Sequence, residues 1–355
     1  MRQTYKMIPI YTADVSGVCS ALYELGGMTV MHDPSGCNST YNTHDEIRWY
    51  DQDSLIYISG LTEIDAIMGN DEKFLNDIMD AARELKPRFI ALAGSPIPYM
   101  NGTDFPALAE VLEQELGIPT FSVPTNGMHD YVYGAGLALE QIARQFVSAK
   151  AVCEEKNTQP HTVNLLGVTP LDFGAYSRAG YMKKNLEKCG WKVLSTWAME
   201  DDLEVLSHAL EAEVNLVVSS VGLRTAKYLE KEFGTPYEVG YPFVDELIPE
   251  LDYAGKKILI VHQQVIANAI RQEIRTRSDE QNTEVTVASW FMMKSELSEE
   301  GDLSLKEEMD YCKLVQNGNY DIVFADENMR GLVPGFKGTF VNIRHFAVSG
   351  KLQES

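Results

Sequence analysis

Short apolar runs alternate with helix-length amphipathic segments along most of this 355-residue chain, and this alternation constrains the fold most. Residues 71–86 carry apolar side chains at helical spacing, Pro87 ends that pattern, and 89–93 is an apolar run of strand length. The same order returns at 163–168 with 175–188, and the run 256–262 begins it again. Strands that alternate with helices predict parallel sheets built from βαβ units.

Two polar stretches, 151–159 and 252–257, interrupt this alternation. We therefore predict an α/β protein of three Rossmann-like, doubly wound parallel-sheet domains around a central cleft, over 1–157, 158–253 and 254–355. Ligands of such sheets bind beyond the carboxyl ends of the strands. The cleft is therefore expected to be formed by the segments that follow the predicted strands.

Charge and composition exclude several classes of function. The formal net charge of −22 disfavours binding to nucleic acid or to an anionic membrane surface. The apolar runs are too short to span a bilayer, and the first residues lack the apolar core of a secretion signal. Five cysteines, an odd number, fit a reducing compartment better than a disulfide framework. We expect a cytoplasmic protein with neither nucleic acid nor membrane as a partner.

Two of the cysteines stand beside small-residue turns near the N-terminus. Cys19 precedes a segment, 20–25, that we predict as a helix ended by Gly26, and Cys37 follows a turn before a second predicted helix over 38–50. A thiol at a helix N-terminus lies in positive potential, which favours the thiolate that binds metal. Thiolates suit iron–sulfur clusters or zinc. Two small buried residues are the alternative explanation of the same pattern.

Several short motifs resemble those of one family, the nitrogenase component 1 superfamily. The segment 32–37, HDPSGC, is similar to the family's HGPxGC, with Asp33 where glycine is usual. The segment 62–70, TEIDAIMGN, is similar to its T-E-x-[DE]-x-[VI]-x-G-G element, with Asn70 in place of the last glycine. Further segments keep the family's order and spacing, among them 89–96, 117–119, 125–128 and 215–236.

The resemblance implies roles for particular residues. Cys19 and Cys37 match the first two cluster-ligating cysteines of such subunits, and the third ligand falls at Ser95, which could bind iron through oxygen or only cap the following turn. Ser219 stands where the family has the cysteine that holds the large nitrogenase cofactor. No counterpart of that cofactor's histidine ligand is found near 326–335, so no iron–molybdenum-type cofactor is expected.

Two cysteines cannot complete the ligand shell of a 4Fe–4S cluster, whereas a two-fold dimer supplies four. The resemblance therefore implies a homodimer with one shared 4Fe–4S cluster, and a separate ATP-dependent iron protein that donates electrons, with ATP bound only by that partner. In its compact size the chain is similar to the homodimeric nickel-sirohydrochlorin diamide reductive cyclases of the superfamily. The implied activity is that of an oxidoreductase.

The same resemblance implies a small-molecule substrate, with a tetrapyrrole as the leading class, in the cleft between the domains. We expect Asn126, Ser219 and Asp326 to border this pocket, together with Ser95. The candidate proton donors are three histidines: His32, His44 and His262. Two alternatives stay open: a scaffold that holds a metal cluster during assembly, and a cluster-free small-molecule binding protein of the same fold.

Overall fold

The structure is a computed structural model that describes residues 6–8, 13–34, 46–153, 157–174, 176–278 and 283–351. These residues form three β-sheets in which every pair of neighbouring strands is parallel. The first sheet holds β1 (Met28–His32), β2 (Leu55–Ile58), β3 (Ile90–Gly94) and β4 (Thr120–Val123). The middle sheet holds β5 (Gln159–Leu166), β6 (Lys192–Thr196), β7 (Ala212–Val217) and β8 (Tyr237–Val239). The C-terminal sheet holds β9 (Lys257–Val261), β10 (Glu284–Ser289), β11 (Leu303–Ser304), β12 (Ile322–Ala325) and β13 (Thr339–Asn342).

Helices connect these strands. Those that belong with the first sheet are α1 (Asp14–Leu22), α2 (Glu63–Met68), α3 (Asp71–Leu85), α4 (Pro96–Asn101), α5 (Phe105–Leu116), α6 (Tyr131–Ile142) and α7 (Ser148–Cys153). A single π-helical turn, Ala143–Val147, separates α6 from α7. The middle sheet carries α8 (Pro170–Phe173), α9 (Tyr176–Lys188), α10 (Leu203–Ser207) and α11 (Leu223–Phe233). The C-terminal sheet carries α12 (Gln264–Arg277), α13 (Glu308–Gly318), α14 (Glu327–Arg330) and α15 (Phe346–Ser349).

Helix α3 shows how local sequence sets these elements. The Asn70 side chain accepts from the backbone N–H of Lys73 at the start of the helix, and Lys86 ends it in the left-handed conformation. Its buried face presents Phe74 and Ile78 to the strands of the first sheet, in one apolar cluster with Ile90. The predicted helix over 71–86 is thus confirmed.

The strand orders are those of doubly wound folds. The first sheet runs β2-β1-β3-β4, the middle sheet β6-β5-β7-β8, and the C-terminal sheet β11-β10-β9-β12-β13. In each sheet the order reverses beside the first strand, between β1 and β3, β5 and β7, and β9 and β12. The predicted α/β class with parallel sheets is confirmed.

One apolar core extends through all three sheets. The cluster that contains Val18 and Tyr131 near the first sheet also contains Trp197 beside the middle sheet and Phe346 beside the C-terminal sheet. The division into domains over 1–157, 158–253 and 254–355 therefore stays a prediction. Among the described residues no helix combines the length and the apolar character that a membrane crossing requires.

Helices α1 and α6 cross with their backbones in contact. A side-chain carbon on Gly17 would lie 2.1 Å from the carbonyl oxygen of Tyr131, and one on Gly134 would lie 1.8 Å from the carbonyl oxygen of Asp14. Only glycine allows this approach at either position. The crossing fixes Tyr131, the first residue of α6, at the junction of the three sheets.

Candidate functional site

The reversal points of the three sheets collect most of the predicted site residues. His32 is the last residue of β1 and Ser95 follows β3; Ser219 follows β7; His262 and Asp326 follow β9 and β12. Ligands of doubly wound sheets bind where the strand order reverses. Their placement therefore agrees with the predicted cleft, and their individual surroundings decide what each side chain can do.

A buried hydrogen-bond network joins the three sheets at one point. Asp172, in α8 after β5, accepts a short hydrogen bond from the hydroxyl of Tyr131, and the same Oδ1 atom lies 3.1 Å from Nε2 of His345. Its other oxygen accepts from the hydroxyl of Thr169 at 2.9 Å. All four side chains are buried. Burial, and then the charge of Asp172, hold the pKa of Tyr131 well above its ordinary value, so Tyr131 remains a donor.

Asp326 positions the segment that carries His345. One carboxylate oxygen accepts from the backbone N–H of Asn328 at the start of α14, and the other accepts from the backbone N–H of His345 at 3.0 Å. Both oxygens are thus engaged with backbone groups. Asp326, which we predicted to border the pocket, holds the backbone of His345 in place.

His262 lies directly against His345. The two rings are stacked with centroids 4.5 Å apart, and Nε2 of His262 lies 3.1 Å from the carbonyl oxygen of Arg344. A carbonyl only accepts, so Nε2 carries the proton and Nδ1 holds a lone pair. No described residue bonds Nδ1, which is buried. Burial, and then the charges of the neighbouring His345 and Arg178, lower the pKa of His262 well below its ordinary value.

A small cavity adjoins this ring. Its walls include His262 and Asp172. The centre of a water molecule placed inside it can occupy a volume of about 20 Å³. Three cationic side chains also line it: Arg178, Arg344 and Lys351. Space of this size admits a water molecule or a single polar arm of a ligand. The cavity can therefore bind an anionic group through its cationic side chains, or a group with a hydrogen-bond donor that bonds the Nδ1 lone pair of His262.

Cys19 lies inside a helix. The prediction that it precedes a helix was wrong: α1 spans Asp14–Leu22 and Cys19 is well within it, fully buried. Burial, and then the charge of Glu46, raise the pKa of the Cys19 thiol, opposite to the expected effect of a helix N-terminus. The second predicted ligand, Cys37, and the candidate proton donor His44 lie outside the described residues.

Ser95 has an unusual hydroxyl. The residue occupies the N-cap position of α4, but its side chain makes no capping bond. Its Oγ atom is buried without a hydrogen-bond partner among the described residues. The alternative that Ser95 only caps the following turn is therefore wrong. A buried hydroxyl without a partner costs free energy that a ligand could recover.

Asn126 and Ser219 are hydrogen-bonded within the protein. The side-chain oxygen of Asn126 accepts from the backbone N–H of Met128 at 2.9 Å. The hydroxyl of Ser219 donates to the carbonyl of Gly167 at 2.6 Å, and a side-chain carbon on Gly167 would lie 2.6 Å from that hydroxyl. Ser219 therefore ties together the ends of β5 and β7.

His32 is enclosed by aromatic rings. Its Nδ1 lies 2.8 Å from the hydroxyl of Ser59, and its ring centroid lies 4.1 Å from that of Phe74. Burial lowers its pKa from 6.5 to about 4. His32 is therefore neutral at neutral pH and does not act there as an imidazolium proton donor.

Sequence reasoning missed the central members of this site. Tyr131, Asp172 and His345 are far apart in the chain but connected by hydrogen bonds. Arg178 belongs to the site because it lines the cavity beside His262. Asp172 and His345 each follow a parallel strand, which was the available signal, but β13 was not predicted. In the part of the chain that the structure describes, no three or more histidine, cysteine or acidic side chains are grouped to hold a metal ion.

Comparison with known proteins places this chain in a family. A family model described as "Nitrogenase component 1 type Oxidoreductase" matches residues 17–245. A subunit of the light-independent protochlorophyllide reductase of Nostoc punctiforme is 25% identical over 232 residues, 63% of this chain and 44% of that protein. The nitrogenase iron-molybdenum cofactor biosynthesis protein NifE of Klebsiella pneumoniae is 22% identical over 227 residues, 59% of this chain and 48% of that protein. The chain thus spans about half the length of these curated relatives.

The fold also matches a solved structure. "Nitrogenase Cp1 at pH 5" superposes with a TM-score of 0.68 over 99% of this chain and 86% of that chain, at 14% identity. At that identity the match supports the fold alone.

Proposed function

Since the chain belongs to the nitrogenase component 1 type oxidoreductases, we propose that it is the catalytic component of a reductase. It works as a homodimer that shares one 4Fe–4S cluster, receives electrons from an ATP-dependent iron protein, and reduces a small molecule. The observation that carries this proposal is the family match, because residues 17–245 include both Cys19 and Cys37. The named relative that reduces protochlorophyllide supports a tetrapyrrole as the substrate class.

The donor atoms fit an iron–sulfur cluster. Cys19 is shielded from water, which suits a low-potential cluster, and its raised pKa keeps it neutral until a metal displaces the proton. Ser95 adds a buried hydroxyl whose oxygen has no described partner. Cys19 and Cys37 would hold the cluster, and Ser95 would supply an oxygen beside it. The bound cluster would supply one-electron transfer.

An exposed apolar surface favours a homodimer. Helices α2 and α4 lie side by side, with the side chain of Asn101 bonded to the carbonyl of Ala66 at 3.0 Å. Six large apolar residues of these two helices are exposed, and we call them the α2–α4 face: Ile64, Ile67, Met68, Ile97, Tyr99 and Met100. Soluble monomers rarely expose a contiguous apolar patch of this kind. Because α4 begins just after Ser95, pairing through this face would bring the two cluster edges together.

The cavity beside His262 is the proposed binding point for the substrate. Arg178 and Arg344 would attract an anionic group of the substrate, and Nδ1 of His262 would accept a hydrogen bond from a neighbouring hydroxyl or amide group of the same substrate. Because its pKa lies well below the ordinary value, the ring stays neutral, so His262 is suited to accept a hydrogen bond and not to act as an imidazolium proton donor. Since the cavity admits only a small group, a macrocycle would have to place one arm here and its ring outside, or widen the cavity.

The assembly-scaffold alternative is favoured by the match to NifE. A scaffold and an enzyme would both hold iron, but only the enzyme would reduce substrate over multiple turnovers. A cluster-free binding protein would hold none. Activity with an ATP-dependent iron protein and metal content therefore separate the three functions.

Iron and acid-labile sulfide in protein prepared without oxygen test the proposal. We expect about two iron atoms per chain, which is one four-iron cluster per dimer. Cys19→Ala and Cys37→Ala should each lose the cluster and its visible absorption. Cys189→Ala, at an exposed cysteine, is the matched control and should retain both. Full iron content in Cys19→Ala would contradict the ligand assignment.

A further inference from the structure

A second cavity, of about 350 Å³, lies along α6 away from the junction of the three sheets. Glu140 marks its position, about 14 Å along the helix axis from Tyr131 at the usual rise per residue. Three parts of the chain line it: the end of α6 with the π-helical turn, one face of α11, and the segment after β10 that holds Lys294. We call it the basic cavity, because its lining includes five cationic side chains and two carboxylates.

The two carboxylates are already paired. Glu140 accepts from Arg144 at 2.7 Å and from Arg224 at 2.9 Å, and Glu296 pairs with Lys227. The lining still has more cations than carboxylates, in a chain whose net charge is −22. The positive charge is therefore locally concentrated against the charge of the whole protein.

Helix α11 supplies most of this charge from one face. Arg224, Lys227 and Lys231 follow each other at helical spacing and all line the cavity. Lys227 and Lys231 are accessible, with 45% and 82% of their side-chain surfaces exposed, and Lys231 also pairs with Glu232, the next residue of the helix, at 2.9 Å. Accessible cations of one face can converge on a single bound anion.

Arg144 is held in a fixed orientation. Its guanidinium lies 4.3 Å from the ring centre of Tyr228, whose hydroxyl lies 2.7 Å from that of Ser148. A guanidinium whose plane is held against an aromatic ring loses little freedom when it binds an anion. The basic cavity is thus partly organised before a ligand arrives.

Lys294 is the cation that the segment after β10 contributes. It is partly buried, and its pKa is lowered first by burial and then by the nearby charge of Arg224. Crowded like charges carry a cost that a bound anion would relieve.

We propose that the basic cavity binds a small polyanion, a molecule with two or more phosphate or carboxylate groups. Cations from three separate segments surround one cavity large enough for such a ligand. Bound there, the polyanion bridges α6, α11 and the segment after β10. This site is independent of the proposed cluster and of the cavity beside His262.

Isothermal titration with inorganic pyrophosphate and with citrate, at about 0.15 M salt, tests this proposal and separates phosphate from carboxylate ligands. We expect saturable binding of at least one of the two. The double variant Lys227→Gln/Lys231→Gln should weaken it about tenfold or more, since two charge-assisted contacts are lost. Lys294→Gln should weaken it as well.

The matched control is Lys188→Gln/Lys192→Gln, which removes two exposed lysines from α9 and β6 outside the cavity. Its affinity should stay within about twofold of the wild type. The proposal is overturned if neither probe binds saturably at this salt concentration. Equal affinity of the wild type and the Lys227→Gln/Lys231→Gln variant for the probe would also overturn it.

Discussion

His32 gives a quantitative prediction for stability against pH. The residue is 7% exposed, and burial lowers the pKa of its imidazole from 6.5 to about 4. Below about pH 6.5, His32 of the unfolded chain binds a proton, whereas His32 of the folded protein stays unprotonated until the pH approaches about 4. Stability is therefore lost as the pH falls from about 6.5 towards 4. At about pH 5 this linkage amounts to about 2 kcal/mol, and it levels off near 3 kcal/mol at lower pH.

The perturbation is His32→Asn, which keeps a polar atom near Ser59 but removes the titrating group. Urea unfolding of both proteins at about pH 7 and about pH 5 gives the decrease in the free energy of unfolding of each protein between these pH values. The free energy of unfolding should fall by about 2 kcal/mol more in the wild type than in His32→Asn over this interval. All other titrating groups are shared, so they cancel in the comparison. An equal loss in both proteins would refute the idea that burial suppresses protonation of His32.

Two further predictions concern the junction and the proposed homodimer. Asp172→Ala removes the shared acceptor of Tyr131 and His345 and should lower the free energy of unfolding by about 3 kcal/mol, against little change for the exposed control Asp77→Ala. A loss within the error of urea unfolding would show that the network contributes little. On the α2–α4 face, Met100→Asp should convert the dimer to a monomer in sedimentation velocity, whereas Met309→Asp, also at an exposed methionine, should not. A dimer that persists in Met100→Asp would place the interface elsewhere.

The sequence predicted those elements that local rules determine. Helix α5 lies between Asp104, whose side chain caps it, and Gly117, which takes the left-handed conformation, as local capping rules require. The site residues predicted at the ends of central strands also lie at the carboxyl edges of parallel sheets, because alternating strands and helices require sheets of this kind. The cleft between the domains stays a prediction.

Helix α1 shows why other elements could not be predicted. Gly17 lowers the helical propensity of this segment, yet that glycine permits the close crossing with α6. The helix therefore depends on a contact with residues more than a hundred positions away in the chain, which no local pattern contains. The burial of Cys19 follows from the same crossing, and so does the failure of the helix N-terminus argument.

The proposed cluster edge and the cavity beside His262 are joined by packed elements. Cys19 lies in α1, α1 contacts α6 through glycine, and α6 begins at Tyr131. Tyr131 bonds Asp172, Asp172 bonds His345, and His345 stacks on His262. A ligand that displaced Asp172 would therefore leave a buried hydroxyl and an imidazole without their acceptor, at a cost of about 1–3 kcal/mol for each group. Widening of the cavity at the exposed Lys351, which also lines it, would leave that acceptor undisturbed.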